Sequence, residues 1–175
     1  AEVIRKYAQS GAKIFVNGML MDLKESLDMA ARKGANILFF NPTHGAAEDF
    51  AESALGFLTG RSAMSTRLGK LLTQVRVDLT GYSQGTIISS NAMMYAGLHG
   101  GAVAGSEFVP IGKAVGMGRL WIASQMSGVT VTYTTGQTKF FDAIRIISSE
   151  LNPFGYVQGI VGLGTGIGLK RHWSY

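Results

Sequence analysis

Between Val75 and Ala96 the chain spells a strand, a tight turn and a helix with nothing in between. That succession restricts the fold more than any other feature of the sequence. Val75-Arg76-Val77-Asp78-Leu79-Thr80 alternates apolar and polar side chains and is rich in β-formers, which predicts a strand. Gly81-Tyr82-Ser83-Gln84-Gly85 follows. It reads G-x-S-x-G, the pattern that holds a serine on a sharp strand-to-helix turn with its hydroxyl at the top of a sheet. The glycines answer the geometry of such a turn, where backbones pass too close for a side chain. Thr86 to Ala96 then runs without Pro or Gly, and Gly97 is the expected helix stop. From Gly81 to Ser106 there is no Asp, Glu, Lys or Arg. A helix without charge has no face suited to water, so this one must be buried on most of its surface, as a helix packed on an open α/β sheet is.

The rest of the chain supplies partners for that unit. Lys13-Ile14-Phe15-Val16 predicts a first strand ending at Asn17-Gly18. Asp22 to Lys33 predicts a helix with apolar positions at Leu23, Leu27, Ala30 and Ala31 and Gly34 as its stop. Asn36-Ile37-Leu38-Phe39-Phe40 is a short continuous apolar run, as expected of a buried parallel strand. Asn41 to Gly45 reads as a loop, and 46–58 and 66–74 as helices. Beyond the serine turn, Glu107 to Ile111 reads as a strand, Leu120 to Met126 as a short helix, and Val129 to Thr134 as the last clear strand. Strands alternate with helices, without a repeat or a linker. The expectation is a single compact α/β domain over 1–175, with a mostly parallel, doubly wound sheet flanked by helices.

Composition closes off several functions. Of 175 residues, 46% are apolar and 15% charged, which argues against disorder. The net charge of +5 is spread along the chain, and no Lys/Arg run forms a nucleic-acid patch. There is no cysteine, so disulfides, thiolate metal sites and cysteine catalysis are out. No His/Asp cluster suggests a metal, no phosphate-loop motif is present, and no cofactor is expected. The start, with Glu2, Arg5 and Lys6, lacks the apolar core of a signal peptide, and the chain reads as the C-terminal piece of a longer protein. Leu151 to Leu169 is free of charge, but its six glycines with Asn152, Pro153 and Gln158 argue against a membrane span. This stretch is the candidate for contact with an acyl chain.

A serine hydroxyl is a poor nucleophile at neutral pH. It needs a general base within hydrogen-bond reach, and the base needs an orienting carboxylate. In enzymes built on this turn the chain order is serine, acid, histidine. His172 is the favoured base, with His44 as the alternative. His99 sits at the far end of the helix that starts at Ser83, about 20 Å away at a rise of about 1.5 Å per residue. Asp142 is the one aspartate after Ser83 and the favoured acid, with Glu107 and Glu150 as fallbacks. The oxyanion needs preorganised donors. The backbone N–H of Gln84 is one candidate. That of Met19, after the Gly18 turn, is the other.

Phe15-Val16-Asn17-Gly18, Asn41-Pro42-Thr43, Leu79 through Thr86, Phe141-Asp142-Ala143-Ile144 and His172-Trp173-Ser174-Tyr175 together resemble the lipase-type α/β-hydrolases. They are most similar to the serine-hydrolase domains at the C-termini of bacterial polymorphic toxins, including contact-dependent inhibition and type VI effectors. Tyr82 stands where many of those domains carry His, and Asp142-Ala143-Ile144 where many carry Asp-Pro-Val. The resemblance implies hydrolysis of carboxylic esters, often of membrane phospholipids, with transient contact at a membrane surface. It also implies secretion or delivery into a target cell and a cognate immunity protein. Two other readings stay open: a thioesterase or acyltransferase using the same triad, and a non-catalytic membrane-binding or pore-forming domain.

Overall fold

The computed structural model describes residues 2–18, 21–42 and 62–133. Within them, β1 (Ala12–Val16), β2 (Ile37–Phe39), β3 (Val77–Tyr82), β4 (Glu107–Ile111) and β5 (Thr130–Val131) form one sheet. Its spatial order is β2-β1-β3-β4-β5, and each neighbouring pair is parallel. Parallel neighbours require crossover connections, which is the role of the helices. These are α1 (Glu2–Tyr7), α2 (Leu23–Arg32), α3 (Ala63–Leu72), α4 (Gln84–Leu98) and α5 (Met117–Ser127). The class is α/β, as the alternation of strands and helices predicts.

Side-chain alternation along the strands sorts the core into two layers. Ile14, Val16, Val77, Leu79 and Phe108 face one side, where they meet Leu68 and Leu72 of α3, Ile88, Ala92 and Met93 of α4, and Leu120 and Ala123 of α5. Phe15, Tyr82 and Ile111 face the other side, with Met21 and Ala30. Helices therefore cover both faces. α4 is the central one, buried continuously from Gln84 to Met93 and again at Ala96, as its lack of charge requires.

Local signals explain the helix ends. Asp22 caps α2 by accepting from the Glu25 N–H at 2.8 Å, while Glu25 accepts from the Asp22 N–H at 3.2 Å, a reciprocal capping box. Gly34 follows at φ +67, as expected of a stop. Ser62 caps α3 through Ser65 in the same reciprocal way, so this helix begins three residues before the expected position.

Three expectations need correction. Gly97 does not stop α4, which runs through it to Leu98. A Cβ at 97 would lie 2.6 Å from the Met126 carbonyl oxygen, so this glycine serves the close crossing of α4 and α5. In α2, Leu23 and Leu27 are about half exposed and Ala31 is also exposed. The side turned inward is Ser26 and Ala30, small residues that let the helix lie close to the layer of Phe15 and Tyr82. The last strand is only two residues long. Ser83 N–H bonds the Ile111 carbonyl and Thr132 N–H bonds the Phe108 carbonyl, so the even-numbered residues of β4 face β5. The next donor on that side belongs to Pro110, which has no N–H, and the ladder stops. The expected helix at 46–58 lies outside the described residues.

Candidate active site

The chain leaves β1 toward β2 and leaves β3 toward β4, on opposite sides of the β1–β3 seam. In open α/β sheets a crevice forms outside the carboxyl ends of the strands at such a reversal. Gly18 follows β1 at this place and Ser83 follows β3.

Ser83 has φ 52 and ψ −120 and is the one non-glycine residue with positive φ among the described residues. That conformation costs roughly 1–3 kcal/mol and persists only where the surroundings impose it. Here they do. The Ser83 N–H bonds the Ile111 carbonyl at 3.0 Å, and the Ser83 carbonyl accepts from the Thr86 N–H at 2.9 Å and the Thr86 hydroxyl at 2.7 Å. Thr86 Oγ1 in turn accepts from the Ala114 N–H at 2.8 Å, tying the turn to the segment after β4.

Glycine makes the turn sterically possible. A Cβ on Gly81 would stand 2.9 Å from the Gly85 carbonyl oxygen. One on Gly85 would strike the Val16 carbonyl oxygen and come within 2.8 Å of that of Asn17, so α4 starts directly against the end of β1. One on Gly18 would stand 2.7 Å from Ser83 Cβ. Gly18 therefore lies against the serine.

The Ser83 hydroxyl is buried and has no hydrogen-bond partner among the described residues. Ser26 and Ser89 carry buried hydroxyls of the same kind, so this property alone does not single out Ser83. Its backbone does. Gln84 is the first residue of α4, where N–H groups point out of the helix rather than into its ladder.

A second feature of the site carried no role in the sequence reading. Asn17, Asn41 and Gln84 are all buried, and Asn41 links the other two, through its backbone to the Asn17 side chain and through its side chain to Gln84. Thr86 was also missed. The signal for the asparagines was their position, each just past the end of a strand at the sheet's carboxyl edge.

Met19, His44, Asp142, Glu150 and His172 lie outside the described residues. His99 is the C-cap of α4, with its ring stacked on Tyr95 and Nδ1 2.7 Å from the Tyr95 carbonyl oxygen, at the far end of the helix from Ser83. Glu107 pairs with Asp78 at the amino ends of β4 and β3, four residues before the Tyr82–Ile111 pair. At about 3.3 Å per residue it is roughly 13 Å from the serine end, which removes it as a fallback acid. Among the described residues no helix is long and apolar enough to cross a membrane.

Compared with protein-family models, curated proteins and solved structures, the chain matches none.

Proposed function

We propose that the chain is a serine esterase of lipase or phospholipase type, built on an α/β-hydrolase domain and serving as a toxin domain of a larger bacterial protein. The observation that carries this reading is Ser83, strained at positive φ at the reversal point of a parallel sheet, its buried hydroxyl without a hydrogen-bond partner among the described residues. A serine with only a structural role gains nothing from that strain. The glycine contacts at 18, 81 and 85 support it further, since each serves the approach of backbone to this one residue or its turn.

In the proposed mechanism His172, oriented by Asp142, takes the Ser83 proton as Oγ attacks the ester carbonyl. The Oγ–C bond forms and the carbonyl π pair moves onto oxygen, where the N–H groups of Gln84 and Met19 receive the negative charge. The oxyanion collapses, the alkoxide leaves and His172 protonates it. Water then attacks the acyl-enzyme by the same route in reverse, releasing the acid and free Ser83. The substrate class is a lipid acyl ester, reached by transient contact with a membrane surface. The proposal calls for no cofactor. Delivery into a target cell and a cognate immunity protein belong to it through the sequence resemblance alone.

The decisive experiment is covalent labelling. A fluorophosphonate should modify the native chain at Ser83, and Ser83→Ala should lose both labelling and ester hydrolysis while keeping its circular dichroism spectrum. Hydrolysis that survives Ser83→Ala, or a native chain that resists the probe, would sink the proposal. Liposome leakage unchanged in Ser83→Ala would favour a pore-forming domain instead.

A further inference from the structure

Three buried amide side chains meet beside Ser83 from separate parts of the chain. Asn17 follows β1, Asn41 lies just beyond β2, and Gln84 opens α4. The Asn17 Nδ2 donates to the Asn41 carbonyl at 2.8 Å and to the Gly18 carbonyl at 3.0 Å, while Asn17 Oδ1 accepts from the Asn41 N–H at 2.5 Å. The backbone polarity of Asn41 thereby fixes which end of the Asn17 amide is which. The Asn41 side chain then passes the connection on, its Nδ2 donating to Gln84 Oε1 at 2.7 Å.

This arrangement is unusual for a place that only needs filling. Apolar side chains would close the gap between β1, β2 and α4 without the desolvation penalty of buried amides. What amides add is direction. One end of the network holds the Gly18 carbonyl, on the residue whose Cα lies against Ser83 Cβ. The other end holds the side chain of Gln84, the residue directly after the serine. Asn41 thus joins the two ends, its backbone bonded to the Asn17 side chain that holds the Gly18 carbonyl and its side chain bonded to Gln84.

We propose that Asn41, supported by Asn17, is a positioning residue for the oxyanion. It locks the first turn of α4 and the Gly18 carbonyl in register, so that the Gln84 N–H is aimed at the oxygen that gains the carbonyl π pair when Ser83 Oγ bonds to carbon. The proposal rests on the serine-esterase reading. Asn41 does not touch the reacting atoms and acts through Gln84.

The test compares turnover per active site with stability. Native protein, Asn41→Ala, Gln84→Met and Gln84→Glu are titrated with a fluorophosphonate. The kcat and KM for a p-nitrophenyl ester are then measured per labelled site, beside thermal unfolding. Asn41→Ala and Gln84→Met each remove one partner of the 2.7 Å bond. Each should lower kcat about 10- to 100-fold, with KM changed by less than about threefold. The double variant should be no worse than the poorer single one, because both break the same link. Gln84→Glu keeps an acceptor for Asn41 Nδ2 and should restore much of the loss. A network with only a structural role would lower the unfolding temperature and leave kcat per labelled site intact. That result, or additive losses in the double variant, overturns the proposal. If Asn41→Ala does not fold, Gln84→Met and its Glu counterpart decide the question alone. A native chain that is not labelled at all overturns the esterase reading and this inference with it; a labelled chain with indifferent variants overturns only this inference.

Discussion

At the carboxyl ends of β1 and β3 the backbone is packed so closely that Gly18, Gly81 and Gly85 each lack room for a methyl group. On the outer face of α5, away from its close crossing with α4, and beside β5 the opposite holds. Trp121 is 63% exposed, with Met117, Ile122 and Met126 beside it on the same helix, and a groove of about 400 Å³ runs between Trp121, Gln125, Val131 and Tyr133. Burial in its wall raises the Tyr133 phenol above its ordinary value. The groove and its exposed apolar rim lie on one face, and the strained serine with its directed hydrogen bonds lies at another place. The comparison teaches that the candidate chemistry follows from backbone constraint. An open groove imposes nothing on a reacting group, whereas a crowded turn forces a serine into a conformation it would not otherwise adopt.

The contrast can be broken by substitution, and the largest effect is expected at the crowded end. Gly85→Ala sets a methyl group on the carbonyl oxygens of Val16 and Asn17, which are strand backbone and cannot move aside. It should cost about 3 kcal/mol or more in urea unfolding, with loss of soluble expression as the extreme outcome. A cost under about 1 kcal/mol would mean that α4 and β1 do not touch as described. Gly97→Ala tests the same principle away from the site, where α4 crosses α5 near Met126. The clash is partly offset by the better helix propensity of Ala, so a loss of about 1–2 kcal/mol is expected.

A smaller effect of opposite sign is expected at Ser83. Ser83→Gly relieves the positive φ and removes a buried hydroxyl that has no partner among the described residues. It should raise stability by about 1 kcal/mol in thermal unfolding while abolishing fluorophosphonate labelling. Stabilisation coupled to loss of labelling would mark Ser83 as a residue strained for chemistry, and destabilisation would say that the strain is not there. The smallest change is expected on the open side. Trp121→Gln leaves a surface already exposed and should shift stability by no more than about 0.5 kcal/mol. A large loss would show that this face is packed in the native protein.

Much of the fold was legible before any coordinates. Val75 to Ala96 was read as strand, turn and helix, and β3, Ser83 and α4 follow that order. The absence of charge correctly placed α4 in the interior. Asp22 and Gly34 marked the ends of α2 because capping and positive φ are local events, written within a few residues. The errors came where a distant partner decided. Gly97 is a good stop signal in isolation, but Met126 of another helix determines that it must be a glycine. Leu23 and Leu27 formed a plausible inward stripe, yet the sheet selected the small residues Ser26 and Ala30. Pro110 shortened β5 from the neighbouring strand, an effect invisible within Val129 to Thr134 itself.

The site divides along the same line. The sequence by itself determined that a serine would stand at the end of a strand and the start of a buried helix, because G-x-S-x-G and its flanks encode local backbone geometry. The mostly parallel sheet was also legible, because strands that alternate with helices along the chain are joined by crossovers; the apolar run at Ile37–Phe39, expected to be a buried strand, is instead half-buried at the end of the sheet order. Only the tertiary structure decided that β1 and β3 would be neighbours, with the reversal of strand order between them. That adjacency brings Gly18 against Ser83 and joins Asn17 and Gln84 through Asn41, while the parallel β3–β4 register puts Glu107 at the opposite end of the sheet from Ser83. Local backbone preference acts over a few residues and can be read directly from them. Strand order and the pairing of buried amides depend on contacts between residues far apart in the chain, and only the folded packing selects them.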